Sequence, residues 1–487
     1  MKTPHVSPDG GALSDQDGCG ATWYCPDESL RAAMWLAVWR WRDGCRDSQL
    51  RSVTPFATGC VGKNVSEVCS PAGLMRMSFV EQGHANVLTS GQRWMLVAGI
   101  LGGLSGAVSA QQAQPAIEYL GAVRIPGDAR DLSGETATLE NGEAVNRLGG
   151  FSAIDYSGAG NLYALLSDRG PDDGAVSYPC RVQLVNLVID PTAKQKMQLE
   201  LVRTVPLVDS QKRPFTGRST ILAATDRMAH RLDPEGFRFG PQQTMYISDE
   251  YGPEILQFNR DGQELRRFAV PAWFRVSVAS GDRQEENGQN ANGRASNRGM
   301  ECLALSADGN SLVGLMQGPL IQDGEKNADN TKVPGRACRL VKISVATGEI
   351  EEYVYELDSD AHGNSEILSM PDGRFLVLER DSEAGKKAEF RKLIAVDLKD
   401  ATNVYGRVSL VDGDQKTTVT PVRKSVFLDL LDPAWALAGD SMPEKIEGLT
   451  FGPVLSDGRQ TLLVGTDNDF ESAAASEIWV FAVRWTP

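Results

Sequence analysis

Residues 232–262, LDPEGFRFGPQQTMYISDEYGPEILQFNRDG, carry the pattern that decides the fold. Pro234-Glu235-Gly236 leads through a turn into an apolar strand, TMYISDE (244–250), that ends on acids. A second apolar segment then runs to an Asp261-Gly262 turn. The same order recurs along the chain. Gly150-Phe151-Ser152 leads to Ser167-Asp168-Arg169, and Met300-Glu301-Cys302 to Leu315-Met316. Ser365-Glu366-Ile367 leads to Leu378-Glu379-Arg380, and Ile446-Glu447-Gly448 to Thr466-Asp467-Asn468. The markers at 152, 235, 301, 366 and 447 lie 83, 66, 65 and 81 residues apart.

Working outward, the segments between markers read as strands: 117–125, 162–168, 181–189, 244–250, 311–316, 375–381, 461–467 and 477–485. They are rich in β-branched and aromatic residues, which suit a pleated, half-buried surface. Asp-Gly pairs at 261, 308, 372 and 457 supply the positive φ of tight hairpins. Long amphipathic helices do not alternate with these strands, which argues against a parallel α/β sheet. A strand-and-turn repeat of this size predicts an all-β fold, a β-propeller. Five markers require five blades, and the long intervals make room for a sixth. The expectation is therefore six blades, with five as the lower count. Strands 117–125 and 477–485 are expected to share a blade and close the ring, which leaves no long exposed edge. Polar insertions at 280–299 and 322–335 flank Glu301 and read as loops, the first of them mobile.

The chain has 487 residues with 49 Lys+Arg against 64 Asp+Glu, a net charge of −15. Nucleic-acid binding needs a basic footprint, so that class is excluded. Four histidines leave little for a His-rich zinc centre, and no Gly-x-Ser-x-Gly elbow is present. Residues 1–110 are charge-balanced, so the whole acidic excess lies beyond them. They also hold five of the eight cysteines. Residues 95–108, MLVAGILGGLSGAV, are too short to span a bilayer and end near Val108-Ser109-Ala110. Residues 75–110 therefore read as a signal peptide with cleavage before Gln111. Residues 1–74 read as a mispredicted or disordered extension, with a cysteine-bearing prodomain as the alternative. The mature chain 111–487 is then a periplasmic or secreted monomer without a membrane span. Its three cysteines allow at most one disulfide.

In a propeller, equivalent residues of the repeat sit at equivalent radii, so the marker acids should converge on the axis. Two carboxylates 4 Å apart repel by roughly 4 kcal/mol at an effective dielectric near 20. A cluster needs protons, arginines or a cation. Hard oxygen donors favour calcium. Candidate ligands are Glu235, Asp249, Glu301, Glu366, Glu447 and Asp467, with Asp168 and Glu379 at further strand ends. Arg169, Arg298, Arg380 and Lys445 lie beside these acids in sequence. They either pair inside the channel or serve an anionic substrate, since arginine forks match phosphate oxygens. His230 and His362 have polar surroundings and read as surface residues.

LGGFSAIDY (148–156), LLSDRGPDD (165–173), LDPEGFRF (232–239), YISDEYGPEILQFNRDG (246–262), MECLALSADGNSL (300–312), PDGRFLVLERD (371–381) and KIEGLTFGP (445–453) resemble the phytase-like family, also described as the esterase-like activity of phytase family. Cys302 departs from the glycine this family tends to carry after the marker acid. The resemblance implies an exported β-propeller and, less directly, hydrolysis of a small anionic phosphoester or other ester. On that reading the listed acids hold calcium and the four bases neutralise developing charge. A gluconolactonase-type lactonase and a non-catalytic binding propeller are the alternatives.

Overall fold

The computed structural model describes residues 115–219, 230–326, 332–411 and 418–485. The expected extension and signal peptide lie outside them. Strands β2 to β5 (Phe151–Tyr156, Leu162–Ser167, Arg181–Ile189, Met197–Pro206) form blade one. Strands β6 to β9 (Pro234–Phe239, Met245–Asp249, Glu254–Phe258, Glu264–Phe268) form blade two. Blade three takes β10, β11, β14 and β15 (Cys302–Leu305, Ser311–Leu315, Ala337–Ser344, Ile350–Glu356). A short ribbon, β12 (Glu325–Lys326) with β13 (Lys332–Val333), interrupts it. Strands β16 to β19 (Gly363–Ser369, Phe375–Arg380, Arg391–Asp397, Arg423–Asp429) form blade four. Blade five holds β20 (Ile446–Val454), β21 (Gln460–Thr466) and β22 (Ser476–Arg484), with β1 (Ala116–Ile125) as its outer strand.

The ring therefore has five blades, the lower of the two expected counts. Among the described residues of the long intervals, 207–219, 230–233, 398–411 and 418–422, no further four-stranded sheet is formed. Closure is as expected: β1 runs antiparallel to β22 from Ala116↔Arg484 to Ile125↔Ser476. This non-covalent clasp gives β22 a partner on each side and leaves β1 as the outer edge of the blade.

Apolar clusters fill the seams between blades. Leu376, Leu378, Leu393, Leu462, Trp479 and Phe481 pack between blades four and five. Leu166, Val182, Phe237, Ile247 and Phe258 pack between blades one and two. Cys180, Cys302 and Cys338 are buried free thiols, so no disulfide links these three.

The 280–299 insertion is more ordered than its composition suggests. It holds a helix, Arg283–Gln289, capped by the Asp282 carboxylate accepting from Glu285 N at 2.8 Å. Glu286 and Arg294, 1% and 2% exposed, pair at 2.5 Å beneath it. A buried ion pair substitutes for the missing apolar core. Among the described residues no helix is long and apolar enough to cross a membrane.

Candidate functional site

The innermost strands of blades one, two, four and five carry an irregularity at the axial end. Ser152 is the extra residue between Phe151 and Ala153, Ser365 between Asn364 and Glu366, and Glu447 between Ile446 and Gly448. Glu235 lies in the bulged step from Pro234 to Phe237, and Glu301 immediately precedes β10. A bulge inserts one residue and re-aims its side chain. Ser152, Glu235, Glu301, Ser365 and Glu447 thus hold one level of the ring.

Residues at or just beyond the ends of the second strands form the next level: Asp168, Glu250, Gln317, Arg380 and Asp467. Backbone bonds fix the equivalence. Asp168 N donates to Gly150 O at 2.8 Å, Glu250 N to Asp233 O at 2.9 Å, Gln317 N to Gly299 O at 2.8 Å and Asp467 N to Lys445 O at 3.2 Å. Arg380 pairs with Gly363 in the fourth blade. At Gly150, with φ +58°, a Cβ would meet the Phe470 ring at 2.1 Å and Asp168 Oδ1 at 2.7 Å, so a side chain would crowd the mouth there.

Glu235, Glu301 and Glu447 bring carboxylate oxygens within 4.8 Å of one another, and all three are buried. Gln317 Nε2 donates to Glu301 Oε1 at 2.9 Å. Arg380 donates from Nη2 to Glu447 Oε1 and from Nε to Ser365 Oγ, both at 2.8 Å. Glu235 accepts no hydrogen bond among the described residues, and Ser152 Oγ is buried without a partner. A second triad, Asp233, Glu235 and Glu250, shares Glu235. It already contains a cation. Arg169 pairs with Asp233, with Glu250 Oε2 at 3.2 Å and with Asp173 Oδ1 at 2.5 Å, and it also bonds Asn297. In the first triad Arg380 pairs with Glu447, and Glu235 and Glu301 have no cationic partner within pairing distance among the described residues.

Calcium bonds oxygen at 2.3–2.6 Å, so oxygens on opposite sides of one ion are about 5 Å apart. The spacing, the all-oxygen donor set and the orphaned Ser152 hydroxyl fit one hard cation held by Glu235, Glu301 and Glu447.

The other sequence-derived candidates lie elsewhere. Asp249 accepts from Asp233 N at 2.9 Å and Gly252 N at 3.0 Å, fixing the turn after β7. Asp467 sits one level from Glu447 and binds Lys445 Nζ at 3.2 Å; Lys445 also pairs with Asp469. Glu366 is one residue past the axial position, which Ser365 holds. It accepts from Leu303 N at 3.1 Å and Ile367 N at 2.8 Å, and Arg238 Nη2 approaches its Oε2 at 3.1 Å. Arg298 donates to His362 O at 3.1 Å and has no carboxylate in pairing distance among the described residues. Neither histidine is freely exposed: the His362 side chain is 12% exposed and bonds Glu379, and His230 lies 3.3 Å from Asp209.

Asp233, Glu250, Gln317 and Ser365 are not among the sequence-derived candidates, and Ser152 is marked there as a repeat position without a role in the site. The signal was present in Gly150-Phe-Ser152, Gly299-Met-Glu301 and Gly363-Asn-Ser365. Aligned on the glycine, they place Ser365 at the marker position.

Burial raises the carboxyls of Asp168, Glu235, Glu250, Glu301 and Asp467 around the axis. It lifts Asp467 to about 6 and Glu250 to about 7, with Asp233 adding to the latter. Glu235 and Glu301 are pushed well up by burial and then by other axial carboxylates. Such a group stays protonated in the native state at a pH where the unfolded chain, near 4, has released its proton. The folded state then binds more protons, so stability falls as pH rises through that window. In chelator, the melting temperature should drop between pH 5 and pH 8. A flat or rising calorimetric profile would contradict this.

A family model described as phytase-like, esterase-like activity of phytase, matches residues 146–470. An uncharacterised secreted protein of Arthroderma benhamiae is 30% identical over 216 residues, covering 38% of this chain and 40% of that protein. The matched part thus spans less than half of that relative. A Dyadobacter fermentans protein of unknown function aligns at 10% identity and a TM-score of 0.36, over 76% of this chain and 99% of its own. Virginiamycin B lyase from Staphylococcus aureus aligns at 10% and 0.28, over 75% and 99%. With the family model spanning all the axial residues described above, from Ser152 to Asp467, the chain belongs to the phytase-like family.

Proposed function

We propose that this protein is an exported hydrolase that cleaves a phosphate or other ester at the axial carboxylates with help from a calcium ion. The observation that carries the reading is the Glu235–Glu301–Glu447 triad, buried and, among the described residues, paired with one arginine. Export is supported by the secreted relative and by the apolar run at 95–108.

Glu235, Glu301 and Glu447 would hold the cation. A divalent ion there supplies Lewis acidity toward an ester oxygen and acidifies a bound water. The chain supplies the rest. Arg380, anchored on Ser365, holds Glu447 in place and sets a positive charge beside the reacting group. Arg169 neutralises Asp233 and Glu250, so those carboxylates do not repel an anionic substrate. Lys445 does the same for Asp467 and Asp469.

Saturating calcium should raise the melting temperature, by about 2.7 kcal/mol of stabilisation at 100 Kd for a ligand that binds only the folded state. Glu447→Gln keeps the shape and removes one charge. It should weaken the calcium response and lower turnover of a phosphomonoester with it. Turnover that survives both chelator and this substitution would remove the metal mechanism. A calcium response without cleavage of any ester or lactone would favour a binding propeller.

A further inference from the structure

We propose that the Lys445 ammonium is a tethered cation filling a second cation position on the axis, bounded by Asp168, Glu447 and Asp467, so that this chain takes one divalent ion where its carboxylates have places for two. This deepens the calcium-assisted reading, on which it rests for the ion at Glu235, Glu301 and Glu447. Lys445 stands two residues before axial Glu447. The equivalent positions in the other blades are Gly150, Asp233, Gly299 and Gly363. The carbonyl at this position accepts from the second-level N–H in blades one, two, three and five, and Gly363 pairs with Arg380 in blade four.

In three blades this position leaves little room for a side chain. A Cβ at Gly299 would meet Glu250 O at 2.3 Å, and one at Gly363 would press on Gln317 Cγ at 3.2 Å. Blade five instead carries a long, flexible cation. Its Nζ lies 3.2 Å from Asp467 Oδ2 and pairs with Asp469. Burial disfavours the Lys445 charge, but Asp467, Glu447, Asp168 and Asp469 outweigh it and hold the ammonium well above its ordinary range. One ammonium thus answers four carboxylates drawn from blades one and five.

Those carboxylates keep oxygens in reserve. Asp168 Oδ1 accepts from Gly170 N at 2.9 Å, and Glu447 Oε1 from Arg380 Nη2 at 2.8 Å. Asp168 Oδ2 and Glu447 Oε2 have no hydrogen-bond partner among the described residues, although both residues are more than nine-tenths buried. Asp467 accepts from Asp469 N on Oδ1 at 2.8 Å and from Lys445 on Oδ2. The kind of ligand this pocket takes is shown by the chain itself, which seats a cation there. An ammonium is a compact, strongly hydrated point charge, closer to a metal ion than the planar fork of arginine. Without it, buried carboxylates at this spacing repel one another. A calcium ion, which takes 6–8 oxygens, would supply the missing charge from the same donors, with Glu447 bridging to the first ion.

The test is calorimetric titration of the full chain with calcium chloride after chelator has been dialysed away. Wild type should take one ion per chain. Lys445→Met, which keeps the stem and removes the charge, should take two. Lys445→Arg, which keeps the charge, should take one. Structural damage removes sites and does not add them, so a doubled stoichiometry separates the two causes. The same ion covers a folding defect: Lys445→Met that unfolds in chelator should refold in saturating calcium, and a variant that stays unfolded there would overturn the proposal. Wild type that takes two ions, or Lys445→Met that takes one, would overturn it and leave the ion at the glutamate triad standing. Wild type that takes none while Lys445→Met takes one would support the tethered cation and sink the ion at the triad. No calcium in either chain would sink both.

Discussion

Deletion of residues 476–485 should leave a chain with no cooperative melting transition near that of the full protein. Strand β22 is the third strand of blade five and the only partner of β1 in the sheet. It buries Ile478, Trp479, Val480, Phe481 and Val483 almost completely. At about 1.5–3 kcal/mol for each large apolar side chain, the loss is on the order of 10 kcal/mol. A whole domain is stable by only about 5–15 kcal/mol. The deletion also releases β1 and opens the ring. Circular dichroism melts of the two chains would decide; coincident transitions would show that the clasp contributes little.

The second large effect should follow Arg238→Met. Arg238 of blade two donates to Ile367 O of blade four at 2.6 Å, reaching past blade three to do so, and it faces Glu366 at 3.1 Å. Close by, Asp155 of blade one accepts from Phe239 N of blade two at 2.8 Å and from Thr450 Oγ1 of blade five at 3.0 Å. With Leu303 N of blade three donating to Glu366 at 3.1 Å, all five blades meet in one buried polar layer. Burial lifts Glu366 to about 8 despite the opposing charge of Arg238. Above that pH, where Glu366 is ionised, removing Arg238 costs about 3–5 kcal/mol because the carboxylate is left uncompensated. At neutral pH the carboxyl holds its proton and the loss is the hydrogen bond to Ile367 O, about 1–3 kcal/mol. The double change Arg238→Met with Glu366→Leu should recover much of that loss. Urea unfolding of wild type, the single and the double variant tests this. A double variant no more stable than the single would mean that the layer acts through packing and not through charge.

The two effects illustrate what could be read before the fold was known. The β22 strand is an uninterrupted apolar run, IWVFAV, and its burial is written in its composition. The outer strands β5, β9, β15 and β19 escaped notice because half of their residues face solvent and carry charge, as in RKSVFLD. An edge strand needs one apolar face, and in a seven-residue stretch that signal is weak. The axial layer was legible only in part. Glu235, Glu301 and Glu447 stand out because acid next to glycine or an apolar residue is unusual at the start of a strand. Glu366 looked equivalent. A bulge at Ser365 moves it by one residue, and one residue in a strand turns a side chain to the opposite face.

The sequence by itself determined the architecture of this protein. Repeated strand-turn units can bury their apolar faces only against one another, and a ring of such units places its recurring acids on the axis. The count of five blades and the ion-pair partners were decided by the tertiary structure, as was the difference between Ser365 and Glu366. Spacing along the chain does not say whether a long interval is a blade or an excursion. Nor does it say which arginine reaches a carboxylate from another blade. Arg169 with Asp233, Arg380 with Glu447 and Arg238 with Glu366 are separated by 64, 67 and 128 residues in the chain, and each pairing exists only because closure of the ring brings different blades to one axis.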